Sequence, residues 1–470
     1  MDHLAVPPAP RPFDATVRPP GSKSITNRAL LCAALAPGTS TLTGALFADD
    51  TRAMLGAVAA LGAEVETDEG RGTVRVRGGL GQGGGGTVDA RQSGTTSRFV
   101  LPAAALRAAR TVVDGSAQLR ARPFGPLLDA LRELGATVEE ETPGFLPAAV
   151  TGPLTGGRVR LPGHLSSQFL SGLLMAGPLM RDGLAVELTS PLVSVPYVEM
   201  TAAVMRAFGV ETQGLTVAPG AYTAADYAIE PDASAASYLL AAPVIRGGRV
   251  TVEGLGTASL QGDVRFADVL ERMGATVTRT ADSITVEGPA TIRGVDVDMA
   301  DISDTAQTLA AVAVFADSPT RVTGIGFIRG KETDRVRAIV TELNRAGVDA
   351  TEDDDGFTIR PGAPRPVSFA TYEDHRMAMS LALLGLRAPG VRIEDPGCVA
   401  KTYPRFLRRP GGAERASPPG DDHGPGQWVT CVTTPWARSR PRSPSSCGWA
   451  RRPGGPRASP RTGRWTGRRT

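Results

Sequence analysis

One pattern recurs six times along these 470 residues and limits what the chain can fold into. Each copy is a short polar cluster followed by small and apolar residues for about three helical turns. Marked by Ser24, Gly94, Ser167, Ser234, Thr305 and His375, the copies follow one another at steps of 70, 73, 67, 71 and 70 residues. A second pattern alternates with the first: an amphipathic helix that stops at glycine and runs into Val/Thr-rich strand residues. Its copies end at Leu61-Gly62-Ala63, Leu134-Gly135-Ala136, Phe208-Gly209-Val210, Met273-Gly274-Ala275 and Ala346-Gly347-Val348. Glycine accepts the left-handed backbone that closes a helix, so these positions read as C-caps. Each unit therefore holds two helices with strands around them. Solenoid units run to 20–50 residues, so a period near 70 points instead to an α/β protein with its units grouped into pseudo-symmetric lobes.

The sixth unit breaks the pattern. Its second helix should fall near residues 403–417, where the chain reads Tyr403-Pro404-Arg405-Phe406-Leu407-Arg408-Arg409-Pro410-Gly411-Gly412. Proline and two glycines stop a helix there. Residues 408–470 contain all four tryptophans, no Leu, Ile, Phe, Tyr, Met or Lys, and 13 arginines against Glu414, Asp421 and Asp422. That is +10 in a chain whose total is +3, so residues 1–407 carry −7. Such a tail cannot bury enough apolar surface to offset its ordering entropy. It reads as disordered, or as a GC-rich gene translated out of frame; a basic arm for nucleic acid is the alternative.

The acidic body is not a basic nucleic-acid binder. It has no run of 18 apolar residues, so no membrane-spanning helix is expected. The N-terminus, with Asp2 and early prolines, lacks a signal-peptide pattern. Cys32, Cys398, Cys431 and Cys447 show no CxxC spacing. Together these features predict a reduced, cytoplasmic protein with no zinc site.

The polar helix starts suggest chemistry. A helix N-terminus offers free N–H groups and about half a positive charge, and several such ends in one cleft hold a multiply charged anion. Capping alone would explain Asp232 and Ser234, but Lys23, Ser24 and Arg28 exceed what capping requires. Only Lys23, Lys331 and Lys401 escape the general use of arginine, which accounts for the other 48 basic residues. Lysine is a compact charge that can release a proton, and arginine effectively is not. These three positions are therefore candidates for phosphate contact or proton transfer. In isolation Arg122 reads as a surface residue, Glu332 as a solvated helix-face charge, Asp304 as an N-cap and His375 as a structural histidine.

Several motifs carry a family resemblance. Gly21-Ser22-Lys23-Ser24-Ile25-Thr26-Asn27-Arg28-Ala29-Leu30 and Lys331-Glu332-Thr333-Asp334-Arg335 resemble the two signatures of the EPSP synthase (3-phosphoshikimate 1-carboxyvinyltransferase) family of enolpyruvyl transferases. Ser166-Ser167-Gln168-Phe169-Leu170, Val193-Ser194-Val195-Pro196-Tyr197, Gln261-Gly262-Asp263 and Asp374-His375-Arg376-Met377 match it in order, from about Pro19 to Phe406. The resemblance implies two lobes, each of three βαβαββ units in an inside-out α/β barrel arrangement. One lobe would be 1–20 with 232–407 and the other 21–231, with 408–470 outside both.

The resemblance also implies transfer of the enolpyruvyl group of phosphoenolpyruvate to shikimate 3-phosphate, by a monomer, with no metal or organic cofactor. Asp304 would be the base and Glu332 the acid, with Lys23 assisting proton transfer. Lys23, Gly94, Arg122, Gln168, Arg335, Arg376 and Lys401 match phosphoenolpyruvate contacts. Lys23, Ser24, Arg28, Ser166, Ser167, Gln168, Ser194, Tyr197, Asp304 and Lys331 match shikimate 3-phosphate contacts. Glyphosate would be an inhibitor of such an enzyme; Gly94 and Thr95 are kept, but Phe99 follows Arg98 where proline is common. Gln92 and Phe327 also depart from the family, standing where Asn and a polar Asn or His are usual. The sister transferase acting on UDP-N-acetylglucosamine carries a reactive cysteine before an Arg-Pro; Asp114 to Pro123 contains none. An inactive product, through loss of the last helix, is the other alternative.

Overall fold

The computed structural model describes residues 3–79 and 85–407. In chain order its helices are α1 (Lys23–Leu35), α2 (Asp49–Ala60), α3 (Gly94–Ala104), α4 (Ala117–Arg120), α5 (Gly125–Glu133) and α6 (Ser167–Ala176). They continue as α7 (Val195–Ala207), α8 (Ala233–Arg246), α9 (Phe266–Arg272), α10 (Ala306–Ala313), α11 (Arg335–Arg345) and α12 (His375–Gly385). Around them lie six small mixed sheets, four of four strands and two of three. Each sheet has one parallel pair, and its other pairings are antiparallel. In one, Thr87–Asp89 runs parallel to Thr111–Asp114 with α3 as the crossover, Val88 facing Val113; Ala148–Thr151 and Thr137–Glu140 extend the sheet. This is the mixed α/β fold that the repeats predict.

The first helix of each unit is apolar nearly all round, and a helix of that kind must be buried. Every residue of α3, α10 and α12 is buried, as is α1 from Ile25 onward. The close approach needs glycine where two such helices cross. A Cβ on Gly172 of α6 would stand 2.4 Å from the Arg98 carbonyl of α3. The second helices end as their sequence requires: Gly62, Gly135, Gly209, Gly274 and Gly347 have φ of 101°, 103°, 84°, 104° and 80°.

Two hydrophobic cores form. One joins Leu4, Val6 and Ala9 to residues from Ala233 to Leu407; the other runs from Ile25 to Ile229. The chain passes between them twice, with an exchange of strands. Phe13–Val17 precedes α1 but pairs with Gly248–Glu253, which follows α8. Asp226–Ala228 precedes α8 but pairs with Gly38–Thr43, which follows α1. Both passages lie side by side: Gly21 bridges Pro231, Asp232 N–H donates to Pro20 at 2.8 Å, and Ser22 N–H donates to Glu230 at 2.9 Å.

Two units differ from the four-stranded pattern. In the third, a single two-residue strand, Thr216–Val217, follows α7 in the sheet. In the sixth, the edge strand is His3–Val6, which pairs antiparallel with Val391–Glu394. Pro404 to Leu407 form a turn, and Tyr403, Phe406 and Leu407 are buried. The rest of the broken helix and the tail expected to be disordered or out of frame lie outside the described residues. Among the described residues no helix is long and apolar enough to cross a membrane.

Candidate active site

First-turn residues of six helices line one cavity: Lys23 of α1, Asp50 of α2, Gly94 and Thr95 of α3, Gln168 of α6, Arg335 of α11, and His375 and Arg376 of α12. Arg122, Asp304, Lys331 and Glu332 complete it from turns. The cavity measures about 20 Å³, room for about one water molecule. Five of the lining residues are cations and three, Asp50, Asp304 and Glu332, are carboxylates. With the helix N-termini added, the balance favours an anion.

The carboxylates are held by the cations. Arg335, 2% exposed, reaches three of them: Asp374 at 2.8 Å, Glu332 at 2.7 Å and Asp304 at 3.2 Å. Arg376 Nη2 lies 2.6 Å from Asp304 Oδ2. Lys401 Nζ donates to Asp50 Oδ1 and to the Gln92 carbonyl, both at 2.9 Å, and lies 3.8 Å from Glu332. Lys23 and Arg122 stand 3.9 Å from Asp50 and Glu332 respectively.

These contacts set the protonation states. Burial alone would raise the Asp304 carboxyl, but Arg376, Lys331, Arg335 and Lys23 together hold it well below the usual carboxylate range. Burial acts on Glu332 in the same direction and is likewise overcome, by Arg335, Arg122 and Lys401. Lys331 is pushed down to about 8, by burial first and then by Arg335 and Arg122. His375 is held well below its usual value, first by burial and then by Arg376.

Several residues sit differently from their local appearance. Arg122 is buried at 7% exposure, not on the surface. Glu332 is enclosed by cations rather than solvated. Asp304 caps nothing: it lies in a 3-10 turn, Ala300–Thr305, kinked at Ile302, and α10 starts without a side-chain cap. Its carboxylate is thereby free to meet Arg335, Arg376 and Tyr197. Asp232 does cap α8, accepting from Ala235 N–H, and also takes the Lys23 N–H. Ser234 instead donates to Asp263. His375 is not a satisfied structural histidine, because neither ring nitrogen has a hydrogen-bond partner.

The other expected contact residues surround this cavity without lining it. Tyr197 OH reaches Asp304 at 3.2 Å. Ser166 caps α6, and Ser194 takes a left-handed backbone before α7. Ser24 and Ser167 lie in the first turns of α1 and α6. Arg28 is largely engaged inside the protein: it donates to Thr201 Oγ1 at 2.7 Å and to the Ser24 and Tyr197 carbonyls at 3.0 Å, it stacks over Phe99, and one Nη1–H is left for a ligand. The Phe327 ring lies 5.9 Å from Lys331 Nζ, a cation–π contact in place of a hydrogen bond. Sequence reasoning passed over Asp50, which looks like an ordinary first-turn acid; it also gave Asp263 and Asp374 no role.

Gly94 leaves no room for a side chain. A Cβ there would lie 2.5 Å from Arg122 Nη1 and 3.0 Å from Arg98 Nη1. Gly94→Ala should therefore displace Arg122 while the buried helix remains folded. Misplacing a positioning group by about 1 Å can cost on the order of 10²-fold in rate. Steady-state kinetics should show the loss in kcat/KM, with the unfolding midpoint unchanged.

A sequence model of EPSP synthase (3-phosphoshikimate 1-carboxyvinyltransferase) matches residues 8–409. The 3-phosphoshikimate 1-carboxyvinyltransferase of a Nostoc species is 43% identical over 424 residues, covering 87% of this chain and 99% of that protein. The enzyme of the same name from Thiobacillus denitrificans is 44% identical over 427 residues, covering 87% and 98%. Among solved structures, EPSP synthase from Acinetobacter baumannii is similar with a TM-score of 0.73 at 27% identity, covering 86% of this chain and 97% of that one. On the motifs, the fold and these likenesses, the chain belongs to the EPSP synthase family.

Proposed function

We propose that this chain transfers the enolpyruvyl group of phosphoenolpyruvate to the 5-hydroxyl of shikimate 3-phosphate and releases phosphate. The observation that carries this is the single cavity in which Lys23, Arg122, Lys331, Arg335 and Arg376 surround Asp304 and Glu332 at the mouths of buried helices. Both substrates are polyanions, and the reaction needs one group to take a proton and another to give one.

Asp304 is the base. It is ionised, as a base must be, and its approach is fixed by Arg376 and Arg335. Glu332 is the acid for the methylene carbon of phosphoenolpyruvate. Arg335, Arg122 and Lys401 hold it ionised in the free protein. A phosphoenolpyruvate anion that takes those cations removes the hold, and burial then raises the carboxyl so that it can carry the proton. Arg122, Arg335, Arg376 and Lys401, with Lys23, Gly94 and Gln168, meet phosphoenolpyruvate. Lys23, Ser24, Arg28, Ser166, Ser167, Gln168, Ser194, Tyr197, Asp304 and Lys331 meet shikimate 3-phosphate. The absence of cysteine between Asp114 and Pro123 speaks against the UDP-N-acetylglucosamine reaction.

The two hydrophobic cores support two domains, 1–20 with 232–407 and 21–231, in what we read as a monomer. Cys32 and Cys398 are free thiols, which fits a cytoplasmic enzyme.

Phosphate release from phosphoenolpyruvate should appear only when shikimate 3-phosphate is added. Absence of release by the full chain would end the proposal. Lys23→Arg should lower turnover roughly 10²-fold or more, because a planar guanidinium neither gives up a proton nor fits as a point charge. Unfolding at the wild-type midpoint would place that loss in the chemistry; retained turnover would remove Lys23 from it.

A further inference from the structure

The Tyr197 hydroxyl stands between two carboxylates, 3.2 Å from Asp304 Oδ2 and 3.3 Å from Asp263 Oδ2. A phenol has one proton to donate. When both carboxylates are ionised it satisfies one and turns its lone pairs on the other. A proton on either removes the conflict. Asp304 is the poor holder, with Arg376 and Arg335 against it. Asp263 is the good one: it is 4% exposed, its Oδ1 has no hydrogen-bond partner, and among the described residues it forms no ion pair. Ionised, that orphaned oxygen costs more than it does in the neutral acid. The ionisable and charged groups facing Asp263 are Asp232, the cap of α8, Tyr197 on α7, Asp304 on the 3-10 turn and Arg376 on α12, and Ser234 donates to it. Burial and Asp304 raise its carboxyl to about 6 against the pull of Ser234 and Arg376.

We infer that Asp263 is the far end of a proton relay, Asp304 to Tyr197 to Asp263, that clears the base after it has acted. The inference rests on the enolpyruvyl-transfer reading of the same site. As the 5-oxygen bonds to C2 of phosphoenolpyruvate, its O–H bond breaks and the proton goes to Asp304. Asp304 passes it to the Tyr197 oxygen while the Tyr197 proton moves to Asp263 Oδ2. Tyr197 gives one proton as it takes another and stays neutral, as its buried site between two carboxylates requires. Asp304 returns to the ionised form that its two arginines favour. The proton goes back along the same path and leaves with the phosphate, so the two steps balance. Asp263 touches no substrate in this scheme; it acts through Tyr197.

The test is kcat against pH for the full chain, with Asp263→Asn and Tyr197→Phe beside the wild type. Asp263 must be ionised to receive the proton, so wild-type kcat should fall as pH drops through about 6. Each variant should be at least about tenfold slower and lack that acid limb, and Asp263→Asn should change the KM for shikimate 3-phosphate far less than kcat. The double variant should be no slower than the slower single one. Tyr197→Phe leaves Asp263 in place, so it tests the relay even if the asparagine perturbs packing. Retention of the acid limb or of wild-type kcat in Asp263→Asn or in Tyr197→Phe would overturn the relay. A wild-type chain that releases no phosphate would overturn the reaction itself, and the relay with it.

Discussion

Replacing Asp304 with asparagine should lower turnover by about 10²–10⁴-fold, the range that a positioned general base contributes. The amide keeps the size of the carboxylate, so Tyr197 OH at 3.2 Å retains an acceptor. Arg335 keeps Asp374 and Glu332. Folding should therefore survive, with an unfolding midpoint near that of the wild type, and shikimate 3-phosphate should still bind. Phosphate release measured at saturating substrates separates turnover from substrate binding, and a single-turnover measurement isolates the chemical step. A variant with kcat within about threefold of the wild type would assign the base elsewhere.

Arg335→Ala should cost stability as well as activity. Arg335 is 2% exposed and bridges Asp374, Glu332 and Asp304. Removing it strands buried carboxylates, and breaking a buried pair in this way typically costs about 3–5 kcal/mol. Asp374 also accepts the Arg376 N–H at the start of α12, so that helix end should loosen with it. Urea unfolding should show the midpoint falling at an unchanged slope. Arg335→Lys should recover part of the stability but not the activity, since one ammonium cannot reproduce the guanidinium fork. A midpoint shift equivalent to less than about 1 kcal/mol would mean that this network does not hold the site together.

Much of the architecture was legible because its signals are local. A glycine with φ near 100° closes a helix whatever surrounds it, so Gly62, Gly135 and Gly274 mark helix ends in the bare sequence. The buried helices announce themselves by having no polar face. What was illegible depends on partners far along the chain. Asp50 looks like a first-turn acid until Lys401 arrives from 351 residues away. Arg335 meets Asp374 across 39 residues, and nothing near Arg122 in sequence says that it is buried. Asp304 misled for a different reason. Its unit replaces the usual helix cap by a kinked 3-10 turn, and the departure from the repeat is what releases the carboxylate for the site.

The strand exchange between the two cores bears on the order of events during synthesis. His3–Val6 and Phe13–Val17 leave the ribosome well before their partners, Val391–Glu394 and Gly248–Glu253. His3 faces Glu394 across almost the whole described chain. At about 5–20 residues per second, that partner arrives roughly 20–80 s later. The core from Ile25 to Ile229 depends on none of those late residues for its apolar contacts, so it can close while the first strands wait. These early strands are therefore among the last to find their place, and the edges they present in the meantime stay unpaired and open to other chains.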